Sequence, residues 1–217
     1  MREMFPGACR SGALKAAIAA FMAAELCLFA PCFGRLLSEN IQLVRKGVMV
    51  DPSFCECPGI GAGWEDFNTS YFKVSVDGGV DLRRVERQLR RRLFLPDRGG
   101  PQDAGAHAAV AFRLDAICEK AMDVLDMHQK MKRLEIRIFK SRGDLNTAYR
   151  MLTGNPGDIK AFHVNDCATI FTSEEDIGDS VMAHEIAHAI VDSQYNGIPP
   201  PKVGEMLASY VDMHISD

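Results

Sequence analysis

One stretch of helix limits most of what this chain can become. The run Val181-Met182-Ala183-His184-Glu185-Ile186-Ala187-His188-Ala189-Ile190-Val191 is apolar on nearly every face, so it predicts a helix buried on several sides. Two histidines and one glutamate interrupt the apolar surface. Four residues is close to one helical turn, which stacks His184 and His188 on the same face. Both imidazoles then reach a single tetrahedral Zn²⁺, with bonds of about 2.0–2.1 Å. Glu185 lies roughly 100° round the helix, beside the metal position, where it can take a proton from an attacking water. A surface helix whose polar stripe happens to spell this pattern is the bland alternative. Val181, Met182, Ile186, Ala187, Ile190 and Val191 argue against it, because two imidazoles and a carboxylate buried without partners would cost several kcal/mol.

His184-Glu185-Ile186-Ala187-His188 is the H-E-x-x-H arrangement of metal-dependent peptidases. A catalytic zinc uses three protein ligands and keeps a fourth position open. The helix supplies two, and Glu205 is the leading third. Between them, Gln194-Tyr195-Asn196-Gly197 end a helix and Pro199-Pro200-Pro201 prevent its continuation. Pro201 suits the first turn of a second helix, 202–215. Two antiparallel helices joined in this way carry Glu205 over the histidine pair, and Ala208 allows close backbone approach. The competing reading of Glu205 is an acid placed in a first helical turn by the macrodipole. Asp192, one turn past His188, and His214 are rival ligands. Val191 stands where the H-E-x-x-H-x-x-G-x-x-H class needs glycine, which excludes that class.

His184-Glu185-Ile186-Ala187-His188 followed by Glu205-Met206-Leu207-Ala208-Ser209-Tyr210 resembles a gluzincin, the thermolysin-type branch of zinc metallopeptidases. The short core resembles the minimal forms called minigluzincins, over residues 103–217. The resemblance implies one Zn²⁺ per chain on His184, His188 and Glu205, with Glu185 as general base. In such enzymes an acid one turn after the glutamate ligand orients a zinc-bound histidine. Ser209 holds that place here, so Asp212 and Asp192 join it as candidates for the orienting role. For the oxyanion donor the candidates are Tyr210, placed first, then Tyr195, His214 and His163.

The segment 161–172 carries β-branched and aromatic residues around a turn candidate, Asn165-Asp166. The resemblance implies that the strand before the active-site helix lies at a sheet edge and pairs with extended substrate through Ala168, Thr169, Ile170 and Phe171. The plain alternative is an ordinary edge strand. Ser173, Glu174, Glu175 and Asp176, with Asp179 or Ser180 next, offer caps and acids for the following helix.

Elsewhere the pattern predicts a strand at 71–76, a turn at Asp77-Gly78-Gly79 and loops at 59–63 and 98–101. A long backing helix is expected over 104–132, a strand over 134–139 and a helix over 144–152 ending at Gly154. Arg83, Arg84, Arg87, Arg90, Arg91 and Arg92 alternate with Val80, Leu82, Val85, Leu89 and Leu93. This reads as an amphipathic helix with a solvated basic face, or alternatively as a contact for an anionic lipid surface. Net charge is −4 with no broad basic face, which argues against nucleic acid as a partner.

Arg2, Arg10 and Lys15 precede an apolar stretch, 16–33, which reads as an export signal or a membrane anchor. Glu25 within it and Pro31 after Ala30 weaken that reading, and a helix packed on the enzyme is the alternative. Cys9, Cys27 and Cys32 fall in this leader. Cys55, Cys57, Cys118 and Cys167 are enough for two disulfides in an oxidising space. A Cys55-x-Cys57 metal site and a free thiol blocking the zinc are alternatives.

The expected architecture is α+β: a small zincin-like core at 103–217, built from a backing helix, a short mixed sheet with an edge strand, an active-site helix and a glutamate helix. An extension (35–102) and a leader (1–34) precede it. The expected function is an exported zinc endopeptidase acting on peptide or protein. The alternatives are a latent peptidase-like binding or chaperone module, and a zinc amidase on a non-peptide substrate. No oligomeric state follows from the sequence.

Overall fold

The computed structural model describes residues 63–90, 105–128, 131–195 and 199–216, all within one compact unit, Glu39–Asp217. The leader, Cys55, Cys57, Arg91 and Arg92, the 98–101 loop and Asn196-Gly197 lie outside the described residues. The fold is α+β, with a mixed five-stranded sheet and five helices among the described residues. The strands are β1 (Trp64–Asn68), β2 (Phe72–Asp77), β3 (Leu134–Phe139), β4 (Ala161–Val164) and β5 (Thr169–Ser173). The helices are α1 (Leu82–Gln88), α2 (Ala106–Leu125), α3 (Arg142–Thr153), α4 (Asp179–Gln194) and α5 (Pro201–His214).

Strand order is β1-β2-β3-β5-β4. β2, β3 and β5 run parallel, with Val74 opposite Ile136 and Ile136 opposite Ile170, while β1 and β4 close the two ends antiparallel. Alternation along the strands sends Phe72, Val74, Ile136, Ile138 and Ile170 to one face. There α1, α2, α4 and α5 cover them. Phe139, Phe162, Val164 and Phe171 point to the other face, against Leu145, Tyr149 and Leu152 of α3. Phe162 stacks on Phe171 with ring centroids 4.6 Å apart. The sheet is thus buried on both sides where the central strands run, as parallel strands require.

Three expectations are corrected here. First, β5 is an interior strand hydrogen-bonded to both β3 and β4, so Thr169, Ile170 and Phe171 are not on the sheet edge. Ala168 is not in a strand at all: it closes the β4–β5 turn with φ of 48°. The edge is β4. Parallel pairing of β5 to β3 places the later strand inside and leaves the earlier one outside. Second, the boundary near 102 does not divide the fold, because β2 pairs with β3 across it. Third, α2 stops at Leu125 rather than near 132. Asp126 takes a left-handed conformation, and the Asp126 and Met127 amides donate back to the Asp123 and Met122 carbonyls. That is a Schellman termination with aspartate in the position glycine usually fills.

The helix boundaries otherwise follow from local chemistry. Ser141 caps α3 by accepting from the Asp144 amide, and Gly154 ends it with φ of 71°. Asp81 caps α1 by accepting from the Arg83 and Arg84 amides. β1 was not foreseen. Its Trp64 meets Phe139 edge-on at 5.3 Å.

Of the acids after β5, Asp179 falls in the first turn of α4 as expected, but none caps it: Gly178 occupies the N-cap without a side-chain bond. Glu174 instead binds elements distant in sequence. Its carboxylate accepts from the Asp81 amide (2.8 Å) and Lys140 Nζ (2.7 Å) and pairs with Arg84 at 3.3 Å. Its carbonyl accepts from Gln88 Nε2. The side chain is 2% exposed. Burial pushes its pKa up, but Lys140, the Asp81 amide and Arg84 prevail and hold it below the ordinary value. A depressed folded-state pKa contributes stability above the unfolded value, and that stability is lost as pH falls through the folded value. Glu174→Gln is therefore expected to lose about 2 kcal/mol near neutrality, the scale of a charge-assisted bond. It should also blunt the acid limb below about pH 4.5, read by urea melts at stepped pH. An unchanged acid limb would show that Glu174 does not hold α1 to the sheet.

Candidate metal centre

α4 supplies two donors because its spacing stacks them, and α5 supplies the third because the proline-rich turn reverses the chain. Gly204 and Ala208 are buried small residues on α5, which lets the two helices approach closely. His184 Nε2 and His188 Nε2 lie 3.2 Å apart. Glu205 Oε2 is 3.6 Å from His184 Nε2, and Glu205 Oε1 is 3.4 Å from His188 Nε2. These are the only three-residue His/Cys/Asp/Glu group among the described residues with donor atoms converging in this way.

The distances allow a test of fit. A tetrahedral ion with bonds of about 2.05 Å sets its ligand atoms roughly 3.3–3.4 Å apart. The observed separations bracket that value. Glu205 Oε1 is buried and accepts no hydrogen bond. A buried carboxylate oxygen with no donor, facing two imidazole nitrogens, matches the needs of a divalent cation. Two nitrogens and one oxygen suit zinc and leave one position open.

Glu185 is 5% exposed and sits on α4 beside the donors without being one of them. In the metal-free protein burial pulls the His184 pKa down. The neighbouring Glu205 carboxylate, then Glu185 and Asp212, outweigh it and raise that pKa above its ordinary value.

Of the orienting candidates, Asp212 comes nearest the expected role. It accepts from the Ser180 hydroxyl, tying α5 to the start of α4, and its charge acts on His184. Asp192 turns instead to His163 of β4, 3.6 Å away. Ser209 is exposed. The oxyanion candidates are scattered. Tyr210 is 39% exposed and stacks on His214, which donates from Nδ1 to the Tyr210 carbonyl. Tyr195 is exposed at the C-cap of α4. Among the described residues no hydrogen bond joins either tyrosine to the converging group. Sequence reasoning missed the His163–Asp192 and Ser180–Asp212 pairings. The helical offset of Asp192 from His188 was visible, but its partner depended on the strand order.

Cysteine chemistry is settled in part. Cys118 is a free, buried thiol whose pKa is pushed up to about 12 by burial and then by Asp115 and Glu119, so the expected pair of disulfides does not include it. Cys167 is disulfide-bonded. Arg84, Arg87 and Arg90 pair with Glu174, Asp81 and Glu86, which partly neutralises the basic run. Among the described residues no helix is long and apolar enough to cross a membrane.

No protein-family model, curated protein or solved structure matches the chain.

Proposed function

We propose that this chain is a zinc-dependent endopeptidase of gluzincin type, exported by its N-terminal leader. The carrying observation is the convergence of His184, His188 and Glu205 to 3.2–3.6 Å with Glu185 buried beside them. When bound, Zn²⁺ supplies positive charge that polarises a scissile carbonyl and acidifies the attacking water. His184 and His188 would hold it, and Glu205 would neutralise part of its charge. Glu185 accepts the water proton and returns it to the leaving amine. Asp212, held by Ser180, steadies the field around His184.

β4 ends the sheet among the described residues and packs against α4. Its outer backbone groups provide a template for an extended peptide, the role first expected of β5. The order α2, mixed sheet, α4, α5 resembles a zincin core. Three donors with an adjacent carboxylate outside the donor set favour catalysis over a structural zinc, which would use four donors and have no need of Glu185.

The test is zinc content and peptide-library cleavage with the purified full chain. One zinc per chain and cleavage abolished by chelator are expected. Folded protein that takes up no zinc would remove the basis of the reading. Bound zinc without cleavage would move it to a binding module or to an amidase acting on another bond.

A further inference from the structure

β4 offers little to the helix beneath it. Phe162 and Val164 point away, into the cluster under α3, so strand alternation turns only Ala161 and His163 toward α4. Ala161 has a single methyl group. His163 is therefore the one long side chain by which the edge strand grips α4. Its Nδ1 lies 3.6 Å from Asp192 Oδ2, and both side chains are 5% exposed. The separation is within ion-pair range and longer than a hydrogen bond. Asp192 stands one helical turn beyond His188, so the contact joins the edge strand to the ligand-bearing helix close to the metal position. An imidazole and a carboxylate shut away from water are costly unless they satisfy one another, and an apolar pair would fill the same space at less cost.

We propose that His163 and Asp192 are positioning residues that fix the height and register of β4 over α4. They thereby set where an extended peptide on β4 presents its scissile bond to Glu185 and the metal ligands. The role in substrate placement rests on the peptidase reading above; the mechanical link between β4 and α4 does not.

The experiment compares the full-length wild type with Asp192→Ala, Asp192→Asn, His163→Ala and His163→Gln. It reads zinc content, kcat and KM on an extended peptide, and hydrogen exchange of the β4 amides bonded to β5. Either alanine variant is expected to speed β4 exchange about tenfold and to lower kcat/KM about tenfold, mostly through KM, with zinc stoichiometry unchanged. Asp192→Asn and His163→Gln keep a polar side chain of similar volume between β4 and α4 but delete the ion pair, so each should recover part of the loss. Because these two variants keep a polar side chain in place, they remain readable if an alanine variant fails to fold. Unchanged β4 exchange and KM in folded alanine variants would overturn the proposal. So would zinc loss with β4 exchange unmoved, which would place the pair in ligand support instead. Absence of cleavage by zinc-loaded wild type would sink the peptidase reading and the substrate role with it. Accelerated β4 exchange in the alanine variants would still establish the lock, so the two failures are distinguishable.

Discussion

Glu185→Gln is expected to bind one zinc per chain, fold as the wild type does, and lose cleavage by about 10²–10⁴-fold in kcat. The substitution keeps size and shape while removing the one buried carboxylate beside the donors that is not itself a donor. Proton transfer to and from the reacting groups is the contribution it deletes, so the loss should fall on kcat while KM stays close to wild type. Matched measurement of zinc content, KM and kcat checks this. Cleavage surviving at wild-type rate would assign the base elsewhere. Loss of zinc would make Glu185 a support for the ligands and not the base.

The second large effect concerns stability. Zinc at a hundredfold excess over its Kd should stabilise the folded wild type by at most about 2.7 kcal/mol, the limit reached when the unfolded chain binds none of it. For a chain of this size that is roughly 5–10 °C in melting temperature. His188→Ala and Glu205→Ala should each abolish the shift, because each leaves two donors. A zinc-dependent shift that persisted in both variants would place the ion at another site. Thermal melts with zinc and with chelator decide it.

The α4–α5 hairpin was legible because its signals are local and mutually consistent. Polar residues at one-turn spacing interrupt an apolar helix, and Pro199, Pro200 and Pro201 force the reversal that carries Glu205 back. The turn at Asn165-Asp166 was legible for the same reason. Which of its two strands faced solvent was not, because the order β3-β5-β4 depends on parallel pairing to a distant strand. A cue did exist: the consecutive Ile170 and Phe171 suit a strand buried on both faces better than an edge. β1 was missed because Trp64-Glu65-Asp66-Phe67-Asn68 lacks alternation and carries two acids. Glu174 was read as a helix cap because its partners, Asp81, Arg84 and Lys140, are invisible from its sequence neighbourhood. Contacts between distant positions account for the misreadings of β5 and Glu174, while β1 was hidden by its own local pattern.

All three converging donors belong to one uninterrupted span, from His184 to Glu205, and none comes from the sheet. Closing so short a loop carries a small entropic penalty, far less than drawing together residues from opposite ends of the chain. On the zinc reading, a denatured or nascent chain therefore retains a share of the affinity for the ion. Two consequences follow for handling the protein. Melting shifts will understate how tightly the native state holds zinc, since some of the ion follows the unfolded chain. Refolding with the ion present can staple the helical hairpin before the parallel strands have found one another.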